Sequence, residues 1–426
     1  MRDERRHGLI KRDDQRSAGA SDRDRILHSS ALRRLAGVTQ VVAPEEGHVF
    51  HNRLTHSLKV GQIGRRLAEH VQTRFPDAVR ALGGLDPEVV EAAGFAHDLG
   101  HPPFGHVTEK ELHRLCREQG LDAGYEGNAQ SFRILAKLAV RSENYAGLNL
   151  SRATLNAVLK YPWQYASIGK HRKKWGAYPE EKDDFEFARR NTHSDRTLEA
   201  ELMNFADDVA YSIHDAEDFY RAGLIPMEFL VSDGPEIDRV IKRVQERTGF
   251  TQQQLVVAWE SALPFAFDRR YTGTATHRSA VRSWTSQMIQ RYVQAVDVSV
   301  NDGRPAFTVP ANIRHEIELL KGLTWEYVIE SPTLATQQMG HRKIIRGLFE
   351  AYLEAVSTRP AVLPPRFQDY LSGALADQVY GPLDQKQRQV RTVADIIANM
   401  TDTEALRMYR RLHGFSPGSL AEIAPM

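Results

Sequence analysis

Apolar positions recur at intervals of three and four along most of the chain, the period of helices with one buried face. The clearest run covers roughly 53–75. There Leu58, Ile63, Leu67 and Val71 would form the inward stripe, and Pro76 stops it. An earlier helix is expected from Arg25, with Ile26, Leu27, Leu32 and Leu35 on its face and Asp22 or Asp24 as its cap. Further helices are expected at roughly 87–98, from His106 through Leu115, at 128–141, at 151–159 and, longest, at 198–222. Beyond them the pattern continues at roughly 236–248, 253–263, 278–296, 311–329, 341–356 and 388–411. Pro44 and Gly47 mark a turn or short hairpin within 41–50, Gly303-Arg-Pro305 a loop, and residues 160–196 an irregular stretch. A loop that long in a compact domain is usually functional or mobile. No β-rich block or repeat stands out, so the expected fold is all-α, with helices packed around a buried polar site.

Composition changes this picture little. Hydrophobic residues make up 41% and charged residues 26%, enough apolar material for a large core. The 56 basic and 55 acidic residues give a formal net charge of +1, so no global field draws the chain to nucleic acid or membrane, and any anion site must be local. The single cysteine, Cys116, excludes an internal disulfide and a thiolate metal cluster, and suits a reducing cytoplasm. The opening stretch is charged where a signal peptide needs an apolar run, and no membrane span is expected. Three divisions are expected: a polar arm over 1–24, flexible or ordered by a partner; a core over 25–222; and a helical region over 223–426 that packs on the core and completes its site.

The unusual chemistry lies in Phe95-Ala-His97-Asp98-Leu-Gly-His101-Pro-Pro-Phe-Gly-His106. His97 and Asp98 fall at an expected helix end, where neighbouring side chains can converge on one ion. Imidazole with carboxylate suits divalent metals such as Mn, Fe, Co, Ni, Zn or Mg. Alone, the pair would most often be a local hydrogen bond. It is not alone: Arg53-Leu-Thr-His56 lies on an earlier helix. On a later one Asp207, Tyr211 and Asp215 recur every fourth residue and share a face. Two carboxylates and a phenol among Phe205, Val209 and Ile213 are costly to bury without ligands, the alternative being a solvated face.

Together these pieces resemble the HD superfamily of metal phosphohydrolases, whose H…HD…D pattern is matched by His56, His97-Asp98 and Asp207. The strings HDLGHPPFGH and ADDVAYSIHDAED resemble one branch in particular, the deoxyguanosinetriphosphate triphosphohydrolases and related dNTP triphosphohydrolases, with further likeness at Tyr125-Glu126-Gly-Asn128, Lys160-Tyr-Pro-Trp163 and Met400-Thr-Asp402. The resemblance implies an HD-domain helical bundle with additional C-terminal helices. It also implies a divalent ion on His56, His97, Asp98 and Asp207, and hydrolysis of a dNTP (dGTP or several) to deoxynucleoside plus triphosphate. Arg53 and His101 would contact phosphate, and His106 with Glu109, one helical turn apart, would form a proton-transfer pair. Gln40 and Asp215 would hold the sugar 3′-hydroxyl and Tyr211 would pack on the sugar. Plainer roles compete: a turn cap for His101, a supporting bond for His106, a first-turn dipole partner for Glu109 and a helix-end amide for Gln40.

Family likeness further implies a homo-oligomer, and nucleotides activate some members at subunit interfaces. The basic run Lys170, Arg172, Lys173 and Lys174, interleaved with Trp163, Tyr165 and Trp175, would reach polyphosphate, a neighbouring subunit or single-stranded nucleic acid, or would simply be solvated. Ile396 and Asn399 stand where relatives commonly carry tyrosine and glycine. Two other activities stay open: an HD-type nucleotidase or phosphodiesterase, and a catalytically weak nucleotide- or single-stranded-DNA-binding regulator.

Overall fold

The computed structural model describes residues 2–8, 14–41, 51–165, 173–192, 195–232, 234–263, 267 and 269–416. Among these residues the fold is all-α, with twenty α-helices and one two-stranded hairpin. None of the helices is long and apolar enough to cross a membrane. The turn or hairpin expected in 41–50 falls almost wholly outside the described residues, as do Lys170 and Arg172.

Three helices frame the centre: Arg53–Arg74, Pro87–Ala96 and Leu198–Arg221. The first starts where Asn52 accepts the amide of Thr55, and buries Val60, Ile63, Leu67 and Val71. Leu58, expected on that stripe, is exposed, because the buried face turns through Gly61 and Gly64 instead. Glycine there permits near contact of backbones: a Cβ on Gly94 would lie 2.6 Å from the Gly61 Cα. That brings the helix carrying His56 against the one that ends at His97.

Two apolar clusters flank this frame. One joins Phe95, Leu112 and Phe132 to Leu348, Phe349 and Ile397 of the C-terminal helices. The other joins Val60, Leu67, Phe205 and Val209 to Leu320 and Leu323. Both therefore include residues from the first and the second half of the chain.

Several elements differ from the pattern's expectation. The first helix spans Ala18–Leu27 and is capped by Ser17, not by Asp22 or Asp24. Asp22 is instead buried, accepting the Ser151 amide and pairing with Arg5. Residues 2–8 lie along the body: Arg2 pairs with Glu199, Arg6 with Asp184 and Glu4 with Arg152. Their charges meet complementary charges on the core, which no hydrophobic pattern records. The stretch 160–196 contains helix Lys182–Arg189. The expected 388–411 helix is two, Gln385–Ala398 and Asp402–Leu412, because Thr401 and Glu404 form a capping box. The hairpin pairs Asp297–Asn301 with Arg304–Thr308 through Asp302-Gly303, both at positive φ (51° and 72°), the conformation that Asp-Gly turns supply.

Candidate active site

Three helices deliver the candidate metal ligands. His56 stands in the first turn of Arg53–Arg74, His97 and Asp98 follow the end of Pro87–Ala96, and Asp207 sits mid-way along Leu198–Arg221. His56, His97 and Asp207 each offer an atom within 4.8 Å of the others. His56 Nε2 lies 3.1 Å and His97 Nε2 3.5 Å from Asp207 Oδ1. His97 Nδ1 donates to the Gly94 carbonyl at 2.7 Å, which turns Nε2 inward, where it has no hydrogen-bond partner. Asp98 stands beside this trio, with Oδ1 3.4 Å from His97 Nε2 and Oδ2 held by Arg53 at 2.6 Å.

An inward, unsatisfied imidazole nitrogen beside a second imidazole and carboxylates is the donor set of a borderline divalent ion. The residues present therefore fit a metal. The electrostatics agree: burial alone would lower His97, yet the Asp98 and Asp207 charges raise it to about 9. Burial works against ionised Asp207, but the charges of Lys160 and His97 hold it well below the ordinary carboxylate range.

A second group, His101, His106 and Glu109, lies alongside. His101 Nδ1 is 3.0 Å from Asp98 Oδ1. Burial, then the Arg53 charge, push His101 down to about 4, so it is neutral near pH 7. His106 is the first residue of helix His106–Glu118 and is largely exposed; its Nδ1 lies 2.8 Å from Glu109 Oε2. The other Glu109 oxygen accepts the Gly127 amide at 3.1 Å. Burial opposes the Glu109 charge, but the His106 hydrogen bond and the neighbouring histidines hold it below the ordinary range.

Both groups open on one cavity of about 1000 Å³. Arg53, His97, Asp98, His101, His106, Glu109, Asp207, Gln40 and Tyr211 line it. His56 and Asp215 are buried and are not among its lining residues. Burial and then Asp218 raise the Asp215 carboxyl well above its usual range. Of the basic run, Lys173 and Lys174 line the cavity. Ile396 is buried in the apolar core and Asn399 ends helix Gln385–Ala398, and neither lines the cavity.

Sequence reasoning gave no role to Lys160, a half-buried residue of the cavity wall whose Nζ is 2.8 Å from Asp207 Oδ2. It also passed over Trp325, His341 and Arg342, which complete the wall. The last two lie on helix Pro332–Thr358, which starts nine residues before the pattern expected, at the Ser331 cap. The Ser-Pro start signal was there to be read.

Residues 53–212 match the HD domain, and residues 307–411 the phosphohydrolase-associated domain. The chain is 36% identical to a deoxyguanosinetriphosphate triphosphohydrolase-like protein of Streptomyces coelicolor, covering 94% of this chain and 93% of the relative. A likewise-named protein of Corynebacterium efficiens is 36% identical over 95% of this chain and 93% of its own length. One of Bordetella pertussis is 33% identical over 92% and 88%. The matched HD region contains every candidate metal ligand, the associated domain supplies the far wall of the cavity, and the relatives are aligned almost end to end: the chain belongs to the HD-domain hydrolase family of deoxyguanosinetriphosphate triphosphohydrolase-like proteins.

Proposed function

We propose that this chain hydrolyses deoxynucleoside triphosphates, dGTP or several of them, to deoxynucleoside and inorganic triphosphate. The observation that carries the reading is the unsatisfied His97 Nε2, aimed at His56 and Asp207 on the wall of a cavity large enough for a nucleotide. His56, His97, Asp98 and Asp207 would hold a divalent ion, which when bound supplies a Lewis acid at the α-phosphoryl group and a water of lowered pKa.

The chain's own residues carry the rest. Arg53, Lys160 and Lys174 bring positive charge to the cavity wall and bind the polyphosphate. Asp98 fixes the Arg53 guanidinium, so that its fork meets phosphate oxygens at little entropic cost. The water oxygen bonds to the α-phosphorus, its proton leaving to the solvent that fills the cavity, and the bond from phosphorus to the sugar O5′ breaks. His106 gives a proton from Nε2 to that leaving oxygen, while Glu109 accepts at Nδ1 and sets the ring's orientation. Gln40 and Tyr211 on the cavity wall meet the sugar.

The test is product identity. The purified chain is incubated with each dNTP and NTP and with Mg, Mn and Co, singly and mixed. Deoxynucleoside plus triphosphate on chromatography is the expected result. Monophosphate or orthophosphate as the first product would overturn the reading and point to a nucleotidase or phosphodiesterase on the same cavity.

A further inference from the structure

We infer that Asp402 is a positioning residue for the hydrolytic site, a buried carboxylate that clamps the Gln40 segment and the His101–His106 turn to the C-terminal helices. Its Oδ1 accepts the Phe104 amide at 2.8 Å. Its Oδ2 accepts the Thr39 amide at 3.0 Å and the Thr39 hydroxyl. Two segments that approach the cavity from different parts of the chain thus meet on one side chain, and the next residue of each lining segment is Gln40 or Gly105.

The plainer role for an aspartate at the start of a helix is to cap it or to complement its dipole. Here Thr401 caps helix Asp402–Leu412 and Glu404 completes the capping box. The Asp402 oxygens reach instead to partners 298 and 363 positions away.

The turn needs such a hold. Phe104 is at φ 61° and Gly105 at φ 64°, two successive residues in the left-handed region, which costs free energy for phenylalanine. A Cβ on Gly105 would come 3.3 Å from the Arg53 guanidinium. The Phe104 ring stacks on His341 at 4.1 Å, so the turn is gripped by its backbone and its side chain at once. The far end of the turn is tied to the same C-terminal segment. Buried Arg34 donates to the carbonyls of Leu99 (2.6 Å) and His101 (2.9 Å), and also to that of Met400 (3.1 Å). Residues 400–402 therefore hold both ends of the turn that carries His101 and presents His106.

This inference rests on the hydrolytic reading of the cavity, and its test separates the two. In Asp402→Ala, the amides of Thr39 and Phe104 should exchange with deuterium faster, metal content should be unchanged, kcat should fall roughly 10–100-fold and KM should rise. Asp402→Asn keeps one acceptor oxygen and turns an NH₂ group toward the other loop. It should protect one of the two amides and recover part of the rate. Turnover is followed on the best dNTP or, should no dNTP be hydrolysed, on bis(p-nitrophenyl) phosphate with the activating metal; that second case would end the substrate reading while leaving the clamp under test. Unchanged exchange at both loops would overturn the inference, as would a rate loss that merely follows the folded fraction with KM unaltered.

Discussion

The Arg133 network and the His56–His97–Asp207 cluster are both buried and both highly charged, but they close differently. Arg133 has no exposed side-chain surface, and each guanidinium nitrogen donates: Nε and Nη2 to Asp395, Nη1 to Glu181 and to the Val379 carbonyl. Gln130 adds a bond to Asp395, and Arg391 pairs with Glu180 over the Tyr178 ring. No residue of that set lines the large cavity except through its neighbours in sequence. In the second cluster His97 Nε2, and beside it His101 Nδ1 of the neighbouring group, lack well-formed hydrogen bonds and the cavity begins beside them. Buried charge alone thus marks no function. Unpartnered atoms occur in the Arg133 network too, Glu180 Oε2, Glu181 Oε2 and Arg391 Nη2 among them; what sets the second cluster apart is that its unpartnered nitrogens face the cavity, where a ligand can complete the bonding.

The sharpest way to break this contrast is to remove one charge from each side. Asp207→Ala should cost roughly 1000-fold or more in turnover and abolish stoichiometric metal binding, since it removes a charged ligand. Its metal-free melting temperature should fall only a little, because Lys160 and His97 lose a carboxylate partner but line the cavity, where water can take its place. Arg133→Met should do the reverse, losing about 3–5 kcal/mol of stability by stranding Asp395 and Glu181. Whatever folded protein remains should bind metal normally. Calorimetry and metal analysis on both variants decide the matter. An unfolded Asp207→Ala chain, or an Arg133→Met chain that is stable yet inactive, would dissolve the distinction.

Arg53 tests the border between the two kinds of cluster, since it is paired like Arg133 yet lines the cavity. A lysine there keeps the charge but loses the planar fork that holds Asp98 while facing the substrate. Arg53→Lys should lower kcat/KM roughly 10–100-fold with little change in melting temperature. Unaltered kinetics would mean that Arg53 serves Asp98 alone, as Arg133 serves Asp395.

How much of this was legible before the fold was known depends on the range of each interaction. The uncommon string around His97 and Asp98 and the four-residue spacing that includes Asp207 are local signals, but their union with His56 into one ligand set came from the likeness to the HD pattern. The Asp207–Tyr211–Asp215 stripe was legible as a stripe, but not that Asp215 would stay buried behind the cavity wall. Lys160 was hidden because its bond to Asp207 spans 47 positions and depends on how an irregular segment turns. The Arg133 network was hidden for the same reason: Arg133 on an expected amphipathic helix looks like any solvated cation until Asp395 is brought 262 positions back to meet it. The Asp302-Gly303 hairpin was missed although its turn dipeptide was in view, because the helical period around it was given priority.

The smallest expected effect lies between the two clusters, at Glu126. Its carboxylate caps helix Gly127–Arg133, accepting the Ala129 amide at 2.8 Å and the Asn128 side chain at 2.7 Å, and it lines the cavity. Burial, then the nearby Glu109 charge, raise it from the usual 4.5 to about 7. Between those values the folded chain holds a proton that the unfolded chain has released. The group's stabilising contribution is therefore complete below about pH 4.5, falls as pH rises and is gone above about 7. Glutamine keeps one capping oxygen and cannot titrate. Relative to the parent, Glu126→Gln should gain a few degrees of melting temperature from pH 5 to pH 8, measured by scanning calorimetry without metal. A difference that stays flat with pH would mean that Glu126 is ionised throughout. It would then belong with Arg133 as a structural charge held by its hydrogen bonds, unlike His97 and His101, whose unpartnered nitrogens face the cavity.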